Sequence, residues 1–400
     1  MTRRCAVRTL DDGRLLGMLT TFTFILVLLL AFANGTNDVS KSIATLVGSG
    51  VTNYGTAIVW GTCWTIAGAG LSAFLATAMV KTFSTGFLPT QATIQPSLAI
   101  SVLTGSVAWV LLASKTGLPV STTHALMGSL VGTGLLAYGF EQLIWSSLVK
   151  KIGLPLLLSP LFALVVALLF YPLIKRMATR WKGSCLCLTP TYRALIMVDA
   201  QGGTRTLYQA TGFRTPIAAV PAQCEREGLK GFVIGLDSLH WLSSGLTAFA
   251  RGANDTPKIA AILLLGSGVA TWPSPLLQVT TFGGATLAMG LGSYWGGRRV
   301  TEVLAEKVTK MDHIEGLSAN VTTSSLVLTS ATLGLPVSTT HLSSSAIIGI
   351  GFLRGWRTIQ WRTVRDMLLA WVVTLPASAF FAGAAYLLVE WVLTRSSSGS

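Results

Sequence analysis

The sequence predicts an all-α integral membrane protein of two inverted-topology repeats, each with broken transmembrane helices and a re-entrant helical hairpin. Three observations lead there: apolar segments long enough to span a bilayer, two motifs that recur at one offset, and unequal positive charge on equivalent loops. Of 400 residues, 51% are hydrophobic and only 11% charged, against about 25% charged in soluble domains. Segments able to cross about 30 Å of hydrocarbon run through Leu15 to Ala33, Thr56 to Val80, Leu154 to Ile174, Phe232 to Ala250, Leu276 to Trp295 and Met367 to Leu393. Shorter apolar runs cover Ser97 to Ala113, Thr122 to Leu136, Gly316 to Thr332 and Ser343 to Leu353. The 41 glycines suit a packed bundle in which small residues let backbones approach.

The second observation is repetition. Gly117-Leu-Pro-Val-Ser-Thr-Thr-His124 returns unchanged as Gly334-Leu-Pro-Val-Ser-Thr-Thr-His341. The same offset of 217 residues lays Ala31-Phe-Ala-Asn-Gly-Thr-Asn-Asp38 on Ala248-Phe-Ala-Arg-Gly-Ala-Asn-Asp255. Two motifs at one register mean one duplicated unit. The expected organisation is a polar N-terminal tail (1–14), a first transmembrane repeat (15–175), a cytoplasmic linker (176–230), a second repeat (231–391) and a C-terminal tail (392–400). Within the linker, Arg193 to Asp199 and Thr204 to Ala210 flank a Gly-Gly turn and are expected to pair as a small hairpin.

The third observation is charge. Segment 298–310 holds Arg298, Arg299, Lys307 and Lys310, while its counterpart 81–93 holds only Lys81. Segment 354–365 holds four arginines and its counterpart 137–148 none. Lys and Arg favour the cytoplasmic side, so equivalent loops are expected on opposite faces. The linker is then cytoplasmic and both termini lie outside, with the arginine-bearing N-terminal tail as the one dissenting element. That tail and Ala31-Phe-Ala33 imitate a signal peptide. Because Ala-Phe-Ala recurs at Ala248 to Ala250, the tripeptide belongs to the repeat and no cleavage is expected.

The net charge of +14 gathers in loops and forms no stripe alternating with aromatics, which excludes a nucleic-acid role. Among five cysteines, Cys185, Cys187 and Cys224 fall in the linker without the second ligand pair a zinc site needs.

In each half, Gly-Leu-Pro should stop one helix and Ser-Thr-Thr start the next, giving a hairpin with its tip near the midplane. A helix N-terminus offers free N–H groups and about half a positive charge, and the triplet adds three hydroxyls. Ser121, Thr122 and Thr123 with Ser338, Thr339 and Thr340 are therefore the candidate cage for a tetrahedral oxyanion, against the alternative of plain N-capping. His124 and His341 close the motifs, either as proton relays or, as favoured, holding the tips. Asp237 with His240 lacks a counterpart in the first half and reads as peripheral. Asn37, Asp38, Asn254 and Asp255 follow apolar runs, where a carboxylate needs a partner or a cation. Their oxygens, beside glycine-loosened carbonyls, suit an alkali ion. Lys41 and Lys258 stand three residues on, either to neutralise the aspartates or to draw the anion.

Asn-Gly-Thr-Asn-Asp and Arg-Gly-Ala-Asn-Asp, paired with two copies of Gly-Leu-Pro-Val-Ser-Thr-Thr-His, resemble the inorganic phosphate transporter (PiT) family over about four-fifths of the chain. The resemblance implies a dimer of all-helical inverted repeats that moves phosphate together with sodium or protons, with no other cofactor and no metal beyond the coupling cation. It implies Asn37, Asp38, Asn254 and Asp255 for cation and substrate, and the two Ser-Thr-Thr triplets for phosphate. Two departures stand out: Asn34-Gly-Thr where Gly-Ala is commoner, and Lys41 where many members carry asparagine.

The expected function is import of inorganic phosphate across the plasma (inner) membrane by Na+ or H+ symport with alternating access. A sulfate permease of the same fold is the nearest alternative, since sulfate is equally tetrahedral. An intramembrane enzyme using serine, histidine and aspartate is disfavoured, because one reaction centre does not require two identical nucleophile loops. A passive channel would differ by ignoring imposed gradients.

Overall fold

The computed structural model describes residues 2–75, 77–85, 96–181, 185–198, 203–214, 217–218, 232–267 and 272–398. The first half contains α1 (Thr2–Asp38), α2 (Ser40–Gly48), α3 (Tyr54–Leu75), α4 (Thr77–Thr85), α5 (Pro96–Thr116) and α6 (Thr122–Tyr138). It closes with the single turn α7 (Trp145–Ser147), a π-helical turn (Leu148–Gly153) and α8 (Leu154–Trp181). The second half contains α9 (Leu236–Ser267), α10 (Pro275–Gly296), α11 (Arg298–Glu306), α12 (His313–Thr332), α13 (Thr339–Arg354) and α14 (Trp361–Ser398). α3, α4, α5, α6 and α8 each have a counterpart in the second half at nearly the offset of the motifs, namely α10, α11, α12, α13 and α14.

Packing follows the same correspondence. α1 lies on α10 as α9 lies on α3; α1 packs on α5 as α9 packs on α12; α14 covers α5 and α6 as α8 covers α12 and α13. The repeat units are thus interleaved, each supplying helices that bury the other's. Glycine permits the closest crossings. A Cβ at Gly68 would stand 2.0 Å from the Phe249 carbonyl oxygen, and one at Gly292 2.0 Å from that of Phe32. The two contacts are equivalent, and neither helix pair could approach so closely with a larger residue.

Gly17–Gly48, Tyr54–Phe74, Pro96–Thr116, Trp145–Arg180 and Trp361–Arg395 are long and apolar enough to cross a membrane. The run Ser97 to Ala113, expected to be short, is therefore part of a helix of 21 residues. Thr56 to Val80, expected to be one span, is divided between α3 and α4, and Phe232 to Ala250 begins with a three-residue strand before α9. Outward-facing apolar side chains such as Leu157, Leu169, Val372, Phe380 and Leu387 are more than half exposed. A belt of this kind suits lipid and would be costly in water.

The linker carries a four-stranded sheet. β1 (Cys185–Val198) pairs antiparallel with β2 (Thr204–Arg214), Arg193 opposite Gln209 and Leu195 opposite Leu207. The expected hairpin is present, and longer than the expected one. β3 (Ile217–Ala218) and β4 (Phe232–Ile234) pair with the start of β1. Asp199 and Cys224 lie outside the described residues.

Candidate functional site

The two octapeptides form the hairpin tips by purely local chemistry. α5 ends at Thr116, and Gly117 turns the chain at φ +79° while the Leu118 N–H returns 3.1 Å to the Ala113 carbonyl. Gly334 does the same at φ +68°, with the Leu335 N–H 2.9 Å from the Ser330 carbonyl. This left-handed residue, which glycine alone adopts without cost, closes each helix. Ser121 then caps α6 by accepting the His124 N–H at 3.2 Å, and Ser338 caps α13 by accepting the His341 N–H at 3.2 Å. N-capping is thus the work of one hydroxyl in each triplet, and the two threonines that follow are left for other partners.

For Thr123, Thr339 and Thr340 those partners come from the opposite half. Thr123 Oγ1 donates to the Val337 carbonyl at 3.4 Å, and its equivalent Thr340 donates to the Val120 carbonyl at 2.8 Å. The rings of His124 and His341 meet with centroids 4.4 Å apart, and His341 also lies 4.0 Å from the Trp371 ring. The two rings, one from each tip, are thus in contact.

The Asn-Asp motifs arrive from beneath. Val39 interrupts the helix between α1 and α2, placing Asn37 and Asp38 at a helix end, whereas α9 runs on through Asp255 and Pro257. Asp38 forms a buried ion pair with Lys41. Asp255 pairs with Lys258 at 3.2 Å. All four side chains are within 3% of complete burial. Each lysine also reaches an octapeptide carbonyl: Lys41 Nζ donates to Val120 O at 3.3 Å, and Lys258 Nζ to Val337 O at 2.9 Å. Both carbonyls are thus backbone oxygens that face the buried ion pairs. Asn37 accepts the Val120 N–H at 3.3 Å and donates to the Leu118 carbonyl at 3.1 Å. Asn254 donates to Asp255 Oδ1 at 2.8 Å and to the Val337 carbonyl at 3.3 Å. Thr339 Oγ1 donates to Asp38 Oδ2 at 3.3 Å, and Lys258 Nζ donates to Thr123 Oγ1 at 2.9 Å. All residues singled out in the two motifs thus converge on one buried locus.

Two residues outside that set complete it. Asn34 Nδ2 lies 3.1 Å from Asp38 Oδ2, 3.3 Å from Asp255 Oδ2 and 3.0 Å from Thr122 Oγ1. Arg251, its equivalent in the second half, is 1% exposed and donates to Thr65 Oγ1 at 2.6 Å and Ser293 Oγ at 3.0 Å. Its Nε has no hydrogen-bond partner among the described residues, nor has Asn254 Oδ1. Position 34/251 was visible as a departure between the motif copies, and an arginine between two apolar runs was the signal. Three buried cations (Lys41, Arg251, Lys258) face two buried carboxylates (Asp38, Asp255), so the locus carries one formal positive charge in excess. Asp237 Oδ1 lies 2.7 Å from His313 Nδ1, while His240 is buried with neither ring nitrogen bonded among the described residues.

This arrangement has relatives. The chain is 29% identical over 367 residues to a protein of Rhizobium meliloti named probable low-affinity inorganic phosphate transporter, covering 90% of this chain and 93% of that one. It is 26% identical over 440 residues to an Arabidopsis thaliana chloroplastic protein named inorganic phosphate transporter 2-1, covering 94% of this chain and 73% of the relative. A solved structure named the sodium-dependent phosphate transporter shares the fold with a TM-score of 0.73 at 21% identity, covering 94% of this chain and 100% of the other. The names of the two sequence relatives indicate a transporter and not an enzyme. The phosphate transporter family matches residues 34–382, from the Asn34 that bridges both aspartates to the Ala382 packed against α5, and the chain belongs to that family.

Proposed function

We propose that the protein imports inorganic phosphate across the membrane by cation symport with alternating access. The observation that carries this reading is the buried positive excess beneath two opposed hydroxyl-bearing helix N-termini. An unmatched charge in a membrane interior is costly, and a tetrahedral oxyanion relieves it while accepting hydrogen bonds from N-terminal N–H groups and threonine hydroxyls.

In this mechanism Ser121, Thr122, Thr123, Ser338, Thr339 and Thr340 hold the anion, and Arg251 adds a guanidinium from the side. Asn37, Asp38, Asn254 and Asp255 respond to the coupling cation, Na+ or H+, with Lys41 and Lys258 adjoining them. The reciprocal bonds Thr123–Val337 and Thr340–Val120 join the tips, and opening on either side requires one tip to leave the other. The unlike charge of equivalent loops and the interleaved packing support inverted repeats with re-entrant hairpins, a cytoplasmic linker and both termini outside. A plasma (inner) membrane location and a homodimer complete the proposal.

Uptake of labelled phosphate by proteoliposomes containing the purified protein tests it. Accumulation above the equilibrium level under an imposed Na+ or H+ gradient is expected, with unlabelled sulfate competing weakly. Uptake that ignores both gradients would mean a channel, and stronger competition by sulfate than by phosphate would mean a sulfate permease.

A further inference from the structure

Sodium finds few ligands left to take at this locus, because lysine has taken them. Lys41 Nζ donates to Asp38 Oδ1, to Asn37 Oδ1 at 3.2 Å and to the Val120 carbonyl at 3.3 Å. Lys258 Nζ donates to Asp255 Oδ1 at 3.2 Å, to Thr123 Oγ1 at 2.9 Å and to the Val337 carbonyl at 2.9 Å. In each half one carboxylate, one backbone carbonyl and one side-chain oxygen surround a single positive charge. That is the kind of hard-oxygen set that a small alkali ion takes. An ammonium has three donors and no acceptor, and each lysine here spends all three on those oxygens.

The carboxylates have no second face to offer. Asp38 Oδ2 accepts from Asn34 Nδ2 and Thr339 Oγ1, and Asp255 Oδ2 accepts from Asn34 Nδ2. Asp255 Oδ1 also accepts from Asn254 Nδ2. Every carboxylate oxygen thus faces a donor, and Asn254 Oδ1 is left as a single oxygen without one among the described residues. Arg251 adds a further buried positive charge beside Asn34. A sodium ion entering would add to a locus that already holds three cations against two carboxylates, where Asn254 Oδ1 is the one amide or carboxylate oxygen without a donor among the described residues.

We propose that Lys41 and Lys258 are tethered cations that occupy the two alkali-ion positions of the transport site, so that the transporter works without sodium and its driving cation is the proton. The inference rests on the cation-symport reading above for its transport consequence, but its binding consequence stands apart from it. The sequence spacing alone suggests a local i,i+3 ion pair; the structure adds the octapeptide carbonyls and hydroxyl, which belong to a site and not to a pair.

Two measurements on the purified full-length protein test this. In proteoliposomes, replacing NaCl by choline chloride at constant ionic strength should change phosphate uptake by less than about twofold, while an inward proton gradient should raise it several-fold. A tenfold loss without sodium would overturn the proposal. Thermal melting in detergent, with NaCl exchanged for choline chloride, reads binding whether or not phosphate is the substrate. The wild type should show no sodium-specific shift, and Lys258→Ala, which vacates one position while Asp255 remains, should gain a saturable stabilisation by Na+. A saturable sodium shift in the wild type, or a folded Lys258→Ala that stays indifferent to sodium, would refute the tethered-cation assignment. Should Lys258→Ala fail to fold, the wild-type sodium titration decides. Absence of phosphate uptake under every gradient would instead remove the transport reading, and the melting result alone would then decide what the lysines do.

Discussion

Arg251 and Asn34 are equivalent positions in the two halves, and they touch: Arg251 Nη1 donates to Asn34 Oδ1 at 3.4 Å. Residues related by the repeat can meet only where the halves face each other, so this pair and the touching rings of His124 and His341 mark the seam between them. At the seam the repeat is chemically broken, neutral on one side and cationic on the other. The excess charge of the buried locus comes from that asymmetry.

Replacing Arg251 should therefore affect the anion more than the fold if charge is its main contribution. Arg251→Lys keeps the charge but cannot reach Thr65 and Ser293 with one planar fork. Its apparent KM for phosphate is expected to rise several-fold, with a smaller fall in maximal uptake. Arg251→Ala should abolish saturable uptake at millimolar phosphate. Unchanged KM in Arg251→Lys, measured in proteoliposomes, would remove the guanidinium from the site.

Asp38→Asn and Asp255→Asn each leave a buried ammonium without its counter-charge, at a cost of about 3–5 kcal/mol for an uncompensated buried ion. Both variants should lose uptake and melt well below the wild type. Removing both members of a pair, as in Asp255→Asn with Lys258→Met, should recover much of the lost stability without recovering transport. Restored transport in that double variant would show that the pair is structural only.

The caps and the hydroxyls can be separated. Ser121→Asn preserves an N-cap acceptor, and its melting temperature should stay near that of the wild type, whereas Ser121→Ala should lose about 0.5–2 kcal/mol. Thr123→Val removes the donor to the Val337 carbonyl and an acceptor of Lys258. It should reduce uptake at least tenfold, with Thr123→Ser restoring most of it. Equal activity of the valine and serine variants would assign Thr123 to packing.

Gly68→Ala and Gly292→Ala place a methyl group 2.0 Å from a backbone oxygen. Because the two crossings are equivalent, the variants should destabilise alike, by about 1–3 kcal/mol as expected for overpacking. Gly283→Ala, with nothing within 4 Å of the added carbon, is the matched control. Loss of stability in the control but not in the pair would contradict the interleaved packing.

Much of this was legible along the chain wherever the interaction is short-range. Glycine at positive φ, proline after it and serine at the cap act within five or six residues, so the octapeptides announced both helix ends correctly. Lysine three residues after aspartate left two roles open, and the structure shows the ion pair in both halves. Asn34 and Arg251 are not marked by the repeat, because identity between copies carries no signal at a position where the copies differ. The contact of Asp237 with His313 could not be read along the chain, because it joins two different helices.

The sequence by itself determined a duplicated membrane bundle, its two hairpin tips and the residue types gathered near them, because helix propensity, capping and hydropathy are local properties of the chain. Only the tertiary structure decided that both tips, both ion pairs and the Asn34–Arg251 contact share one locus, and that each ammonium is held by a carbonyl 79 residues away. That decision belongs to packing: a buried charge must find its remaining oxygens wherever the folded helices bring them.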